Sequence, residues 1–80
     1  MNGLIWNCRG IQKKGLSTFL RELIVDNQLD FLGVQETMKK HFSDKFFRKV
    51  DSGKSFAWHW VPSRGKSRGI LCGLNVDRFV

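Results

Sequence analysis

Eighty residues support one small domain, and a chain this short buries only roughly 60–65% of its unfolded surface. With 41% hydrophobic and 26% charged residues, the composition is that of a folded globular chain and argues against disorder. Fourteen Lys and Arg against seven Asp and Glu leave a formal charge of +7, a balance that favours polyanions through counterion release.

No apolar run approaches the roughly 20 residues that would span a bilayer, so no membrane partner is expected. Asn7 and Arg9 interrupt the N-terminal apolar stretch too early for a signal peptide. Cys8 and Cys72 are too few for a disulfide framework, which points to a reducing compartment, nuclear or cytoplasmic.

Gly3 to Cys8 reads as a short apolar strand that runs into Asn7, an amide that is costly to bury without partners. A basic loop bracketed by Gly10 and Gly15, carrying Lys13 and Lys14, breaks regular structure. Leu16, Phe19, Leu20, Leu23 and Ile24 then recur at the spacing of one helical face, with Asn27 as a left-handed terminator. Asp30 to Gln35 is a second buried strand. Strand, helix, strand predicts an α/β architecture.

Beyond Glu36 the chain turns polar and basic. Ser43 is placed to cap a short helix that carries Phe42, Phe46, Phe47 and Val50 inward and Lys45, Arg48 and Lys49 outward. After a turn at 51–53, Phe56, Trp58 and Trp60 alternate with Ala57, His59 and Val61, which is strand periodicity. That alternation makes the tryptophans core residues in preference to a stacking platform for single-stranded nucleic acid. Pro62 to Arg68 is a basic turn, and Gly69 to Leu74 a buried strand pairing antiparallel with the previous one. A mixed sheet follows. Asp77 to Val80 reads as entry into a further strand, as expected for the front part of a larger domain.

Two Gly-Lys-Ser tripeptides, at Gly53 and Gly65, lack the earlier glycine of a phosphate-binding loop, since Arg48 and Trp60 stand there. No nucleotide cofactor is expected. His41, His59, Cys8 and Cys72 show no close ligand pair of the kind structural zinc sites use.

Glu36 directly follows a buried strand, where α/β proteins place their sites. A lone carboxylate there suits Mg²⁺, which keeps several waters; equally, it suits a helix cap or a lysine partner. Asn7 ends the other strand, either as a turn former or as an amide beside that carboxylate. Parallel pairing of the two strands would make them neighbours.

Trp6-Asn-Cys-Arg-Gly10, Gln35-Glu-Thr37 and Gly65-Lys-Ser-Arg-Gly-Ile70, in this order and context, resemble the endonuclease/exonuclease/phosphatase superfamily. The wording is most similar to the endonuclease domain of plant LINE-type (non-LTR) retrotransposons. The resemblance covers essentially the whole chain. It implies the N-terminal part of a four-layer α/β sandwich, lacking the C-terminal half, and Mg²⁺-dependent hydrolysis of a DNA phosphodiester, with Mn²⁺ as a substitute. Glu36 matches the family's catalytic, metal-binding glutamate, and Asn7 the asparagine that lines the same metal and phosphate site. Arg9, Lys39, Lys40, Arg64, Lys66 and Arg68 would hold the DNA backbone. Arg9 stands where the apurinic-repair branch carries aspartate, and Arg68 where a small residue is common. The tyrosine, Asp-x-Asn and Asp-His elements of the family lie further downstream, and this chain has no tyrosine. The expected product is therefore an inactive part of a nuclease, or a DNA-binding remnant. A phosphatase branch is a further alternative.

Overall fold

The computed structural model describes residues 2–9 and 15–77. Six elements follow in the order β1 (Gly3–Asn7), α1 (Leu16–Asn27), β2 (Phe31–Gln35), α2 (Asp44–Val50), β3 (Phe56–Val61) and β4 (Ile70–Asn75). The fold is α/β, built on a four-stranded mixed sheet in the order β1-β2-β4-β3. β1 and β2 are parallel, and β4 pairs antiparallel with β2 on one side and β3 on the other. The predicted pairing of the last two strands is present. β4 nevertheless lies inside the sheet, inserted between β2 and β3.

Register explains the core. Leu4, Leu32, Gly73 and Trp58 form one row across the strands, and Trp6, Val34, Leu71 and Trp60 the next. Both rows face the helices. Leu16, Leu20, Leu23 and Ile24 of α1 and Phe42, Phe46, Phe47 and Val50 around α2 join them in one apolar cluster. Phe19 sits at its margin, exposed on one side, with its ring 5.0 Å from that of Trp6. Gly73 lies under Trp58, whose ring fills the space a Cβ would need.

The opposite sheet face is open. Ile5, Ile70, Leu74 and Val61 are exposed there, Ile5 by 66%. Cys72 and His59 are in register on this face, whereas Cys8 is buried on the helix side.

Local chemistry sets the element ends. α1 closes in a Schellman motif, with Leu29 N–H donating to Ile24 O at 3.0 Å and Gln28 N–H to Val25 O at 3.3 Å. Gln28, at φ 49°, takes the left-handed position expected at Asn27. The Ser43 hydroxyl accepts from Phe46 N–H at 3.1 Å and caps α2 as anticipated. At the amino end of β2, Asp30 Oδ2 accepts from Asn2 N–H at 3.1 Å and Asp30 O from Asn75 N–H at 2.7 Å, tying three strands together. Among the described residues no helix is long and apolar enough to cross a membrane. The expectations for Lys13, Lys14 and the apolar pair Phe79-Val80 lie outside the described residues.

Candidate functional site

The carboxyl ends of β1 and β2 meet as neighbours because the strands are parallel and Asn7 is opposite Gln35. Cys8 N–H extends the ladder by one bond, to Gln35 O at 3.0 Å. The chain then turns. Arg9, Glu36 and Met38 take left-handed backbone conformations, at φ 51°, 55° and 57°. Each such non-glycine residue costs about 1 kcal/mol or more and persists only where its surroundings hold it. At Glu36 the hold is visible, since the Cys8 thiol donates to its carbonyl at 3.3 Å.

The left-handed turn swings the Glu36 side chain over the end of β1. There the Asn7 amide Nδ2–H donates to Glu36 Oε2, while Asn7 Oδ1 accepts from Arg9 N–H at 3.0 Å. Asn7 thus has partners at both ends of its amide. The other carboxylate oxygen, Oε1, accepts from Arg68 Nη1 at 2.9 Å.

Arg68 reaches this point through a second strip of backbone pairing. Thr37 N–H donates to Gly69 O at 3.2 Å, Met38 N–H to Arg68 O at 2.7 Å, and Ser63 N–H to Lys39 O at 3.0 Å. Thr37 is 1% exposed, and its hydroxyl occupies the space where a Cβ on residue 69 would stand. With φ at +89° as well, position 69 requires glycine. The close backbone approach falls to Gly69, which leaves Arg68 free to carry a long side chain.

The Asn7 amide, then the Arg68 guanidinium, hold the Glu36 carboxyl below the usual carboxylate range. Burial pushes the other way, and the charges of Arg68 and Arg9 add to the lowering. Glu36 is therefore an anion at neutral pH, 27% exposed in its side chain.

The residues expected to hold DNA are not equivalent. Arg9 and Arg68 adjoin the Asn7–Glu36 pair. Arg64 and Lys66 are exposed in a tight turn closed by Ser67 N–H on Arg64 O at 2.7 Å, with Gly65 at φ 53°. That bond also commits the Ser67 amide of the second Gly-Lys-Ser tripeptide. Lys40 is exposed, whereas the Lys39 ammonium lies 5.1 Å from the ring centres of both Phe42 and Phe46. Trp58 stacks on Phe47 and Phe56 at 5.3 and 5.4 Å, and Trp60 packs against Phe42 and Phe47. Their faces belong to the core.

For a divalent cation, Glu36 supplies a carboxylate at this point. Among the described residues no three His, Cys, Asp or Glu side chains gather to hold an ion. A single carboxylate fits Mg²⁺, or Mn²⁺, retaining most of its waters. Asn7, with its oxygen turned to Arg9, acts here on the orientation of Glu36. Thr37 and Gly69, which place Arg68, carried no functional signal in the sequence beyond their position in the 35–37 and 65–70 segments.

Comparisons with protein-family models, with curated proteins and with solved structures found no match to this chain.

Proposed function

We propose that this chain carries the Asn7–Glu36 part of a Mg²⁺-dependent DNA endonuclease site of the endonuclease/exonuclease/phosphatase type, belonging to a LINE-type endonuclease domain. In this reading the sheet is the first half of a four-layer sandwich. Bound at Glu36, Mg²⁺ or Mn²⁺ would polarise a phosphoryl oxygen and stabilise the leaving oxygen of an in-line displacement. Glu36 would hold the ion, Asn7 would fix the carboxylate's orientation, and Arg9, Arg64, Lys66 and Lys40 would bind backbone phosphates.

One observation carries the reading. An amide and a carboxylate that each end a separate core strand are hydrogen-bonded side by side, with cations beside them. Among the described residues no imidazole or second carboxylate hydrogen-bonds to the pair. In this reading the chain is expected to bind DNA phosphate without nicking it.

The test is supercoiled plasmid with Mg²⁺, run beside fluorescence anisotropy of a labelled duplex. Salt-dependent binding with no nicking is expected. Nicking that disappears in Glu36→Ala would make the chain a nuclease in its own right. No binding at low salt would overturn the DNA reading and favour a phosphoesterase of small substrates.

A further inference from the structure

We propose that Arg68 is an exchangeable counter-cation of Glu36, and that a divalent ion competes with it for the carboxylate and displaces it. The inference rests on the reading of Glu36 as a metal ligand and adds a device that controls access to it.

Both carboxylate oxygens carry a donor, Asn7 Nδ2 on Oε2 and Arg68 Nη1 on Oε1. The two donors differ in their ability to leave. Asn7 ends a core strand, and its other amide atom is held by Arg9 N–H at 3.0 Å. Turning the amide away breaks both bonds. Among the described residues, Arg68 is anchored apart from this ion pair through its backbone, where its carbonyl accepts from Met38 N–H at 2.7 Å. Its side chain is 69% exposed and can rotate into solvent without disturbing that bond.

An exposed ion pair of this kind is weak, because water and salt screen it. It still places a full positive charge on the oxygen an incoming ion needs. A dication must compete with that charge, and its apparent affinity falls by the strength of the pair. Once displaced, the guanidinium remains tethered at Gly69 beside the carboxylate. Its fork geometry is then available to a phosphate, which it would bind as two parallel hydrogen bonds. Cation binding and phosphate binding at this edge consequently favour each other, and by linkage the effect runs equally in both directions. A lysine would not serve as well, since its single ammonium lacks the planar fork.

The experiment is a titration of the full 80-residue chain with Mn²⁺ at neutral pH and low salt, reading free Mn²⁺ by its EPR signal. Arg68→Met keeps the aliphatic stem and is expected to tighten Mn²⁺ binding by about 2–5-fold, the upper part of the range an exposed pair represents. Arg64→Met removes the same charge from the neighbouring turn and is expected to change affinity by less than about twofold. Equal effects of the two arginine variants, or no effect of Arg68→Met while Glu36→Gln abolishes binding, would overturn the proposal and leave Glu36 standing as a ligand. Undiminished Mn²⁺ binding in Glu36→Gln would instead overturn the reading on which it rests. In the unmutated chain, the guanidinium ¹⁵N resonances of Arg68 should shift on adding Mg²⁺. Resonances that stay fixed while Glu36 responds to the ion would equally contradict displacement.

Discussion

The side-chain amide of Asn7 hydrogen-bonds the carboxylate of Glu36 across the ends of two parallel strands, although 29 positions separate them in the chain. Everything else at this edge is arranged around that contact. Arg9 fixes the amide from one side, Arg68 neutralises the carboxylate from the other, and the buried Thr37 beside Gly69 sets where Arg68 emerges.

Gly69→Ala tests that last link. A Cβ there meets the Thr37 hydroxyl and demands a left-handed alanine, so a loss of about 3 kcal/mol is expected. Urea denaturation followed by tryptophan fluorescence measures it. A loss below about 0.5 kcal/mol would mean that the 37–39 and 63–69 segments do not hold each other in place.

The pH dependence follows from Glu36. Its folded-state value is lowered, so its contribution to stability is complete above the unfolded-state value and is lost as pH falls through the lower folded value. Carbon-detected NMR titration should place the Glu36 midpoint below that of an ordinary glutamate. In Asn7→Ala and in Arg68→Ala it should move upward, most in the first. An unmoved midpoint would show that neither hydrogen bond persists in solution.

Much of the fold was legible because it rests on local periodicity. The 3.6-residue spacing of Leu16, Leu20 and Leu23, the Ser43 cap and the alternation of Phe56, Trp58 and Trp60 each determine an element without reference to distant residues. Boundaries shifted by a residue where backbone geometry decided, as when Gln28 replaced Asn27 in the left-handed position. The proximity of Asn7 and Glu36 was also legible, since parallel pairing of two similar strands forces it. The Arg68–Glu36 pair was not. It depends on β4 inserting beside β2, a long-range pairing that no local pattern encodes. Arg68 therefore read as a phosphate contact, and its present partner came only from the sheet order. Left-handed Glu36 was invisible for the same reason, because tertiary contacts impose it against the preference of its side chain.

Trp60→Leu distinguishes core from stacking platform. Its ring packs against Phe42, Phe47 and His41 at 5.6 to 5.9 Å, so the substitution should cost about 2 kcal/mol of stability. Affinity for a single-stranded oligonucleotide, measured by anisotropy under conditions where the variant is folded, should stay within about twofold, because a core ring offers no face to a base. A tenfold loss of affinity with unchanged stability would assign Trp60 to nucleic acid instead.

Arg64→Ala combined with Lys66→Ala should weaken duplex binding without dependence on sequence. Removing one cation–phosphate pairing lowers the slope of log affinity against log salt by about 0.9, so the double variant should lower it by about 1.8. An unchanged slope would remove the turn at 64–67 from the interface.

The most direct measurement of the central claim is an amide NMR titration of the 80-residue chain with Mg²⁺, run beside Glu36→Gln. Shifts centred on Cys8, Glu36, Thr37 and Arg68, saturating with Mg²⁺ and absent in the variant, are the predicted result. Shifts that survive unchanged in Glu36→Gln, or that spread evenly over the molecule, would contradict a cation site at the carboxyl end of β2.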